Sequence, residues 1–299
     1  MDYKKELEVL KEAVVGAAEI VGIEYNKIHP IGRTPDMHQT GTGEIDLRMK
    51  KDDTPVTSTD LKSKDYLRKE LRGKFPSYRI ITEEDDEAEI ELAREGKSSR
   101  MFVVDPLEGT KPFVYGNGDF GVAGEFLENF IPIAGAVYNV ARQELYFALR
   151  GKGAWKEVNG VTQRLKVNSK NTLEAVVSTS RKSEELQGLL DTLGLTKEQT
   201  RQMRSSLKAI EVASGTANLY PVLPSSPLGM WDVAPYHTIV TEAGGRFTNI
   251  LGNAFNYREM FVAKDRKNYA GLLVTNDVVH RSCVRKTRAA LELFSLTKK

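Results

Sequence analysis

Between Arg100 and Val158 the chain strings together apolar runs at short intervals. "RMFVVD", "FGVAGEFLE", "IPIAGAVYNV" and "ELYFALRG" either alternate or stay apolar throughout, the pattern of a meandering sheet. "GKGAWKEVNGVTQRLKV" follows as a hairpin region. From about residue 160 the pattern changes. Shorter apolar runs ("AVVSTS", "GLLVTN") alternate with helical stretches ("EELQGLLDTLG", "LKAIEVASGTANLY", "DVAPYHTIVTEAGG"). This predicts two subdomains, α+β over residues 1–157 and α/β over residues 158–299, with the boundary near Val158. A chain of 299 residues, 40% hydrophobic and 28% charged, is long enough to build both around an extensive shared core.

Leu7, Leu10, Val14, Val15, Ala18 and Val21 recur at helical spacing, so the chain opens with a long helix. Charge is interleaved with that pattern, which lacks the uninterrupted apolar core expected of a signal peptide, and no later stretch approaches a membrane span. A polar stretch from Asn26 to Asp53 reads as a long loop, with a short strand near Ile45–Met49; loops of this kind are often lids or disordered. "TDLKSKDYLRKELRGKF" is a second helix, with Thr59 or Asp60 suited to cap its start and Gly73 its end. The single cysteine, Cys283, excludes an internal disulfide framework and reads as a small buried hydrophobe; a reducing, cytoplasmic location is expected. A net charge of +2 and a pI of about 8.4 are too balanced for wholesale binding of nucleic-acid polymers or membranes. A small anionic ligand fits that balance.

"FVVDPLEGTKPF" ends an apolar run in two acids, Asp105 and Glu108, with a Gly-Thr turn behind them. Carboxylates at the carboxyl end of a strand lie where open α/β sheets place their sites. Gly109 permits an unusual backbone angle, Thr110 suits a helix cap, and Pro112 is tolerated in a first helical turn. Acids aimed at a helix N-terminus are reconciled by a divalent cation and a phosphate; a turn with two solvated acids is the simpler reading. Three more segments carry similar pairs of readings. "IITEED" sets Glu83 and Glu84 after another apolar run, or is a solvated acidic loop together with Asp85, Asp86, Glu87 and Glu89. Asp60 in "DDTPVTSTD" and Asp232 in "GMWDVAPYHT" are acids of a site or helix caps.

Taken in order, these segments resemble the lithium-sensitive, magnesium-dependent phosphatases that include inositol monophosphatase, inositol polyphosphate 1-phosphatase and 3′(2′),5′-bisphosphate nucleotidase. Their signature reads D-P-[IL]-D-G-T, preceded by paired glutamates and followed by W-D-x-A, and the similarity runs from the first helix to about residue 250. The resemblance implies a layered αβαβα sandwich with its site between the subdomains. It implies a site of two or three Mg²⁺ ions held by Glu83, Asp105, the backbone carbonyl of Leu107, Glu108 and Asp232, with Asp105 bridging two of them. Thr110, paired with Asp60, would orient and deprotonate the attacking water, and the amides of Gly109 and Thr110 would hold the phosphate. One departure stands out: the family has aspartate where this chain has Glu108, an arm longer by about 1.5 Å in bond terms.

Within the family, "GTKPF" (with Lys111) and "SSLKAIEVASGTANLYP" resemble the bisphosphate nucleotidases, in which the matching serine and lysine, Ser205 and Lys208 here, contact the nucleotide. Two nucleotidase residues are replaced: Val222 stands for an arginine and Ser183 for a histidine, while Arg181 and Lys182 offset lost positive charge. The resemblance implies a phosphatase that removes the 3′-phosphate of adenosine 3′,5′-bisphosphate, with a specificity relaxed by these two departures so that inositol 1,4-bisphosphate is a candidate substrate as well. The alternatives are inositol polyphosphate 1-phosphatase activity, on inositol 1,4-bisphosphate, and a non-catalytic metal-binding relative.

Overall fold

The computed structural model describes residues 2–29, 47–49, 55–178, 184–263 and 265–297. Helix α1 (Lys4–Ile28) takes in the start of the expected polar loop, because Ile28 is buried and Lys27 pairs with Glu24 at 2.8 Å. Most of the proposed lid lies outside the described residues. Strand β1 (Leu47–Met49) pairs antiparallel with β2 (Pro55–Thr57), which leads into α2 (Ser58–Lys74). The cap of α2 is Thr57, rather than Thr59 or Asp60. Asp60 instead reaches back from the first turn to the Thr57 amide (2.7 Å) in a capping box.

The first sheet follows: β3 (Arg79–Thr82), then α3 (Glu87–Glu95), β4 (Arg100–Glu108), the short helix α4 (Thr110–Tyr115), β5 (Gly121–Glu128), β6 (Ile131–Asn139), β7 (Glu144–Leu149), β8 (Gly153–Val158) and β9 (Val161–Arg164). Its seven strands lie in chain order; β3 and β4 are parallel and every later pair is antiparallel. The β8–β9 hairpin turns on Asn159 and Gly160, both at positive φ, as an Asn-Gly turn of the hairpin type requires. Because β9 ends at Arg164, the passage to the second sheet comes later than Val158.

The second half contributes β10 (Ala175–Ser178), α5 (Glu184–Leu193), β11 (Thr200–Met203), α6 (Lys208–Ala213), β12 (Leu219–Val222), β13 (Leu228–Gly229), α7 (Met230–Glu242), β14 (Gly245–Thr248), α8 (Tyr257–Val262), β15 (Lys267–Asn268), β16 (Leu272–Asn276) and α9 (His280–Thr297). A mixed five-stranded sheet runs in the order β11-β10-β12-β16-β14. Three hydrophobic cores separate the layers. One lies between α1, α2 and the first sheet, one around α6 and α7 between the two sheets, and one between the second sheet and α5 and α9. The result is an αβαβα sandwich. Strand β4 shows why its sequence is continuously apolar: Phe102 and Val104 face the first core while Met101 and Val103 face the second. Cys283 is buried in the third core, where burial pushes its thiol up to about 11. No helix among the described residues is long and apolar enough to cross a membrane.

Helix α7 is pressed closely onto β6. A Cβ on Gly135 would sit 2.7 Å from Glu125 Oε2 and 2.9 Å from the Pro235 carbonyl oxygen. Gly135→Ala is therefore expected to destabilise the fold by about 1–3 kcal/mol through overpacking, measured by urea unfolding; unchanged stability would contradict this close approach.

Candidate active site

Asp105 and Glu108 converge because β4 continues past its apolar run. The strand runs on to Glu108 through a bulge: Asp105 pairs with Ala123 and Glu108 with Gly121, so Pro106 and Leu107 together oppose Val122. Pro106 has no N–H for the ladder, and this is the place where pairing can be broken at least cost. The freed Leu107 amide donates to Asp105 Oδ1 (3.0 Å), and the Ser63 hydroxyl donates to the Pro106 carbonyl (2.6 Å). Gly109 then adopts a left-handed conformation, φ +82° and ψ 48°, and is itself the cap of α4; Thr110 is the first helical residue, not the cap. A Cβ on Gly109 would meet the Asp119 carbonyl oxygen at 3.0 Å and the Ser205 Cβ at 3.2 Å, so both the turn and its neighbours call for glycine.

Asp232 arrives from the second half, in the first turn of α7, held by the Gly229 amide at 2.6 Å. Asp105, Glu108 and Asp232 each place a carboxylate oxygen within 4.8 Å of the others, the first two buried and the third half-buried. Glu108 accepts from the Ser206 amide (2.9 Å) and the Tyr236 hydroxyl (3.1 Å). Burial raises its proton affinity, and the charge of Glu83 adds to that; the Ser206 amide and Lys208 work in the opposite direction. Tyr236 is likewise pushed well up, by burial first and then by the charges of Glu108 and Asp105. Glu83 lines the same cavity as Glu108 and Asp232 but stands outside the set of three. An all-oxygen donor set with clustered negative charge fits a hard divalent cation such as Mg²⁺.

The loop carrying Glu83 and Glu84 is not a solvated acidic run. The Asp85 side chain is fully buried, accepts from the Thr82 amide (3.0 Å), and pairs with Arg68 at 2.6 Å and Arg266 at 3.8 Å. Asp86 caps α3, and Glu89 closes that cap while meeting Lys64 at 2.8 Å. These acids are spent on fixing the loop. Glu87 is exposed and, among the described residues, takes no part in this network.

Asp60 is buried beside Thr110. Its Oδ2 accepts from the amide and hydroxyl of Thr57 (2.7 and 2.6 Å), and its Oδ1 accepts from the Thr110 hydroxyl (3.3 Å), which also lies 3.2 Å from the Leu107 carbonyl oxygen. The capping geometry and a catalytic pairing thus use different oxygens of one carboxylate.

A cavity of about 380 Å³ opens beside Glu83, Glu108 and Asp232. Ser205, Ser206 and Lys208 line one part of it, and Leu186, Val222, Leu223 and Trp231 give it an apolar wall. The Ser205 hydroxyl is buried and has no hydrogen-bond partner among the described residues. Lys208 donates to the carbonyls of Ser205 and Met203 (the latter at 3.5 Å) and sits over the Tyr220 ring. Lys111 is exposed on α4 and does not line this cavity; Arg181 lies outside the described residues. Tyr236, Arg204 and Lys267 escaped the sequence reading. Tyr236 was within reach of it, since four residues after Asp232 is the same helical face.

A model of the inositol monophosphatase family matches residues 2–282. The 3′(2′),5′-bisphosphate nucleotidase CysQ of Salmonella typhimurium is 35% identical over 224 residues, covering 74% of this chain and 88% of that protein. Among solved structures, the extragenic suppressor protein suhB of Bartonella henselae superposes with a TM-score of 0.74 at 20% identity, over 95% of this chain and 98% of that one. CysQ of Bacteroides thetaiotaomicron superposes with a TM-score of 0.67 at 24% identity, over 92% and 98%. These two establish the fold. The family match and the 35% identity to a nucleotidase define a phosphoric monoester hydrolase. The chain belongs to the inositol monophosphatase family.

Proposed function

We propose that this protein is a Mg²⁺-dependent 3′(2′),5′-bisphosphate nucleotidase that removes the 3′-phosphate of adenosine 3′,5′-bisphosphate. The observation that carries the nucleotide assignment is the cavity: a buried hydroxyl, Ser205, without a partner among the described residues, next to an apolar wall suited to a flat base rather than to a polyhydroxylated ring. The 35% identity to a nucleotidase supports the same reading.

In this reading Glu83, Asp105, the Leu107 carbonyl, Glu108 and Asp232 hold the divalent cations. When bound, these supply Lewis-acid stabilisation of charge on the phosphoryl and leaving oxygens. The amides of Gly109 and Thr110 hold the scissile phosphate. Thr110 gives its hydroxyl hydrogen to Asp60 Oδ1, which leaves its lone pairs to accept from the attacking water. Asp60, fixed by Thr57, is the final acceptor of that water's proton. Ser205 and Lys208 contact the remainder of the substrate.

The test compares adenosine 3′,5′-bisphosphate with inositol 1,4-bisphosphate at saturating Mg²⁺. A higher kcat/KM on the nucleotide is expected, and preference for the inositol would reassign the substrate. Ser205→Ala should lower kcat/KM on the nucleotide by about 1 kcal/mol, the worth of one hydrogen bond, while leaving the melting temperature level or higher because an unpaired buried hydroxyl is removed. A variant that melts earlier and turns over normally would place Ser205 in the scaffold instead.

A further inference from the structure

We propose that Arg142, in the turn between β6 and β7, is a positioning residue for the Gly109–Thr110 turn, which it keeps in place by tying the loop behind that turn to helix α6. The assignment rests on the reading above, in which the amides of Gly109 and Thr110 hold the scissile phosphate.

Two separate segments confine Gly109. A Cβ there would meet the Asp119 carbonyl oxygen at 3.0 Å and the Ser205 Cβ at 3.2 Å. Asp119 belongs to the loop from α4 to β5, in the first half of the chain, and Ser205 comes just before α6, in the second. The place of the turn therefore depends on how these two segments stand to each other, and Arg142 joins them. Its Nε and Nη2 donate to the two carboxylate oxygens of Asp119 (2.9 and 2.7 Å), and its Nη1 meets Glu211 Oε1 of α6 at 2.9 Å. All three guanidinium nitrogens are engaged, on carboxylates from both halves of the chain. The fork is itself held. The buried Asn139 side chain accepts from the Arg142 amide (3.1 Å) and donates to Asp119 Oδ1 (3.2 Å). Glu211 is buried too, accepts from the Thr216 hydroxyl (2.5 Å) and pairs with Arg201 of β11. Burial works to raise the Glu211 carboxyl, but the Thr216 hydroxyl and the charges of Arg201 and Arg142 hold it below its ordinary value, so the link is ionic. Arg142 does not line the cavity beside the acid cluster, so it acts through the turn and not on the substrate. Lysine, a point charge without the planar fork, cannot serve both carboxylates in this way.

The experiment measures kcat/KM on adenosine 3′,5′-bisphosphate at saturating Mg²⁺ in wild type, Arg142→Met and Arg142→Lys. It also measures, with Mg²⁺ present, how far inorganic phosphate raises the melting temperature of each, since that ion needs the turn and no other part of the substrate pocket. Arg142→Met should lose about 10- to 100-fold in kcat/KM, the cost of a displaced contact at the reacting group, and inorganic phosphate should raise its melting temperature less than that of wild type. Arg142→Lys should recover only a minor part of both. The fold should survive, because Glu211 keeps Arg201 and Thr216 while Asp119 keeps Asn139. Glu211→Gln, which weakens the same link and keeps the shape of the side chain, guards against a misfolded Arg142→Met. It should move both readouts in the same direction, and the double variant should lose little more than Arg142→Met alone. A variant that melts earlier but keeps its kcat/KM places Arg142 in the scaffold, and a loss in kcat/KM with an unchanged response to inorganic phosphate assigns it to α6 alone. Either result overturns the assignment while the nucleotidase reading stands. If inorganic phosphate leaves the melting temperature of wild type unmoved, the reading of the Gly109–Thr110 turn fails and takes the assignment with it.

Discussion

Asp105→Asn should reduce turnover by about 1,000-fold or more. Charge stabilisation by a catalytic cation is worth several kcal/mol, and each 1.36 kcal/mol is a factor of ten in rate. Asparagine keeps the oxygen that accepts the Leu107 amide, so the bulge of β4 has no reason to relax. Removing one of three carboxylates that lie within 4.8 Å of one another also relieves repulsion. In EDTA the variant should therefore melt at or above the wild-type temperature. In wild type, added Mg²⁺ should raise the melting temperature by mass action, and in Asp105→Asn this gain should shrink or vanish. Full activity in the variant, or an unchanged response of its melting temperature to Mg²⁺, would remove Asp105 from the cation site.

The second large effect concerns Glu108. Glu108→Ala should lose most activity, because it removes a carboxylate from the cluster and leaves the Ser206 amide and the buried Tyr236 hydroxyl without their acceptor. Glu108→Asp divides the two roles. A shorter arm matches the aspartate that the family carries at this position, and should lower the Mg²⁺ concentration required or raise kcat. The same shortening draws the carboxylate back from Ser206 and Tyr236, and should cost about 1–3 kcal/mol of stability. A magnesium titration and a urea melt on the three forms separate these effects. If alanine matches glutamate in the titration, Glu108 holds no cation. If aspartate matches glutamate in the melt, the contacts to Ser206 and Tyr236 carry no weight.

Much of the architecture was legible because it rests on local periodicity. The meander from β4 to β9 and the alternation of strand and helix after it follow from apolar spacing and from turns such as Asn159-Gly160. The cluster of Asp105, Glu108 and Asp232 was legible through motif order, although the two halves of the chain meet there only in three dimensions. The misreadings have physical causes. The apolar run breaks at Asp105 and Pro106, but a bulge tolerates proline and continues the pairing to Glu108. Thr57 was passed over as the cap of α2, though Thr-x-x-Asp is a capping-box pattern that the sequence displays. Asp85 looked solvated among its acidic neighbours; its partners Arg68 and Arg266 come from α2 and from the position just before β15, and no local pattern announces a pairing between distant segments.

The central claim is that the acids of β4 and α7 form a cation site on which phosphate release depends. Its most direct test is the rate of phosphate release from adenosine 3′,5′-bisphosphate by the wild-type protein across a Mg²⁺ titration that starts in EDTA. The expected result is no turnover above background in EDTA, a rise with Mg²⁺ to saturation, and a return to background when chelator is restored. Release in EDTA at the rate seen with saturating Mg²⁺ would contradict the account.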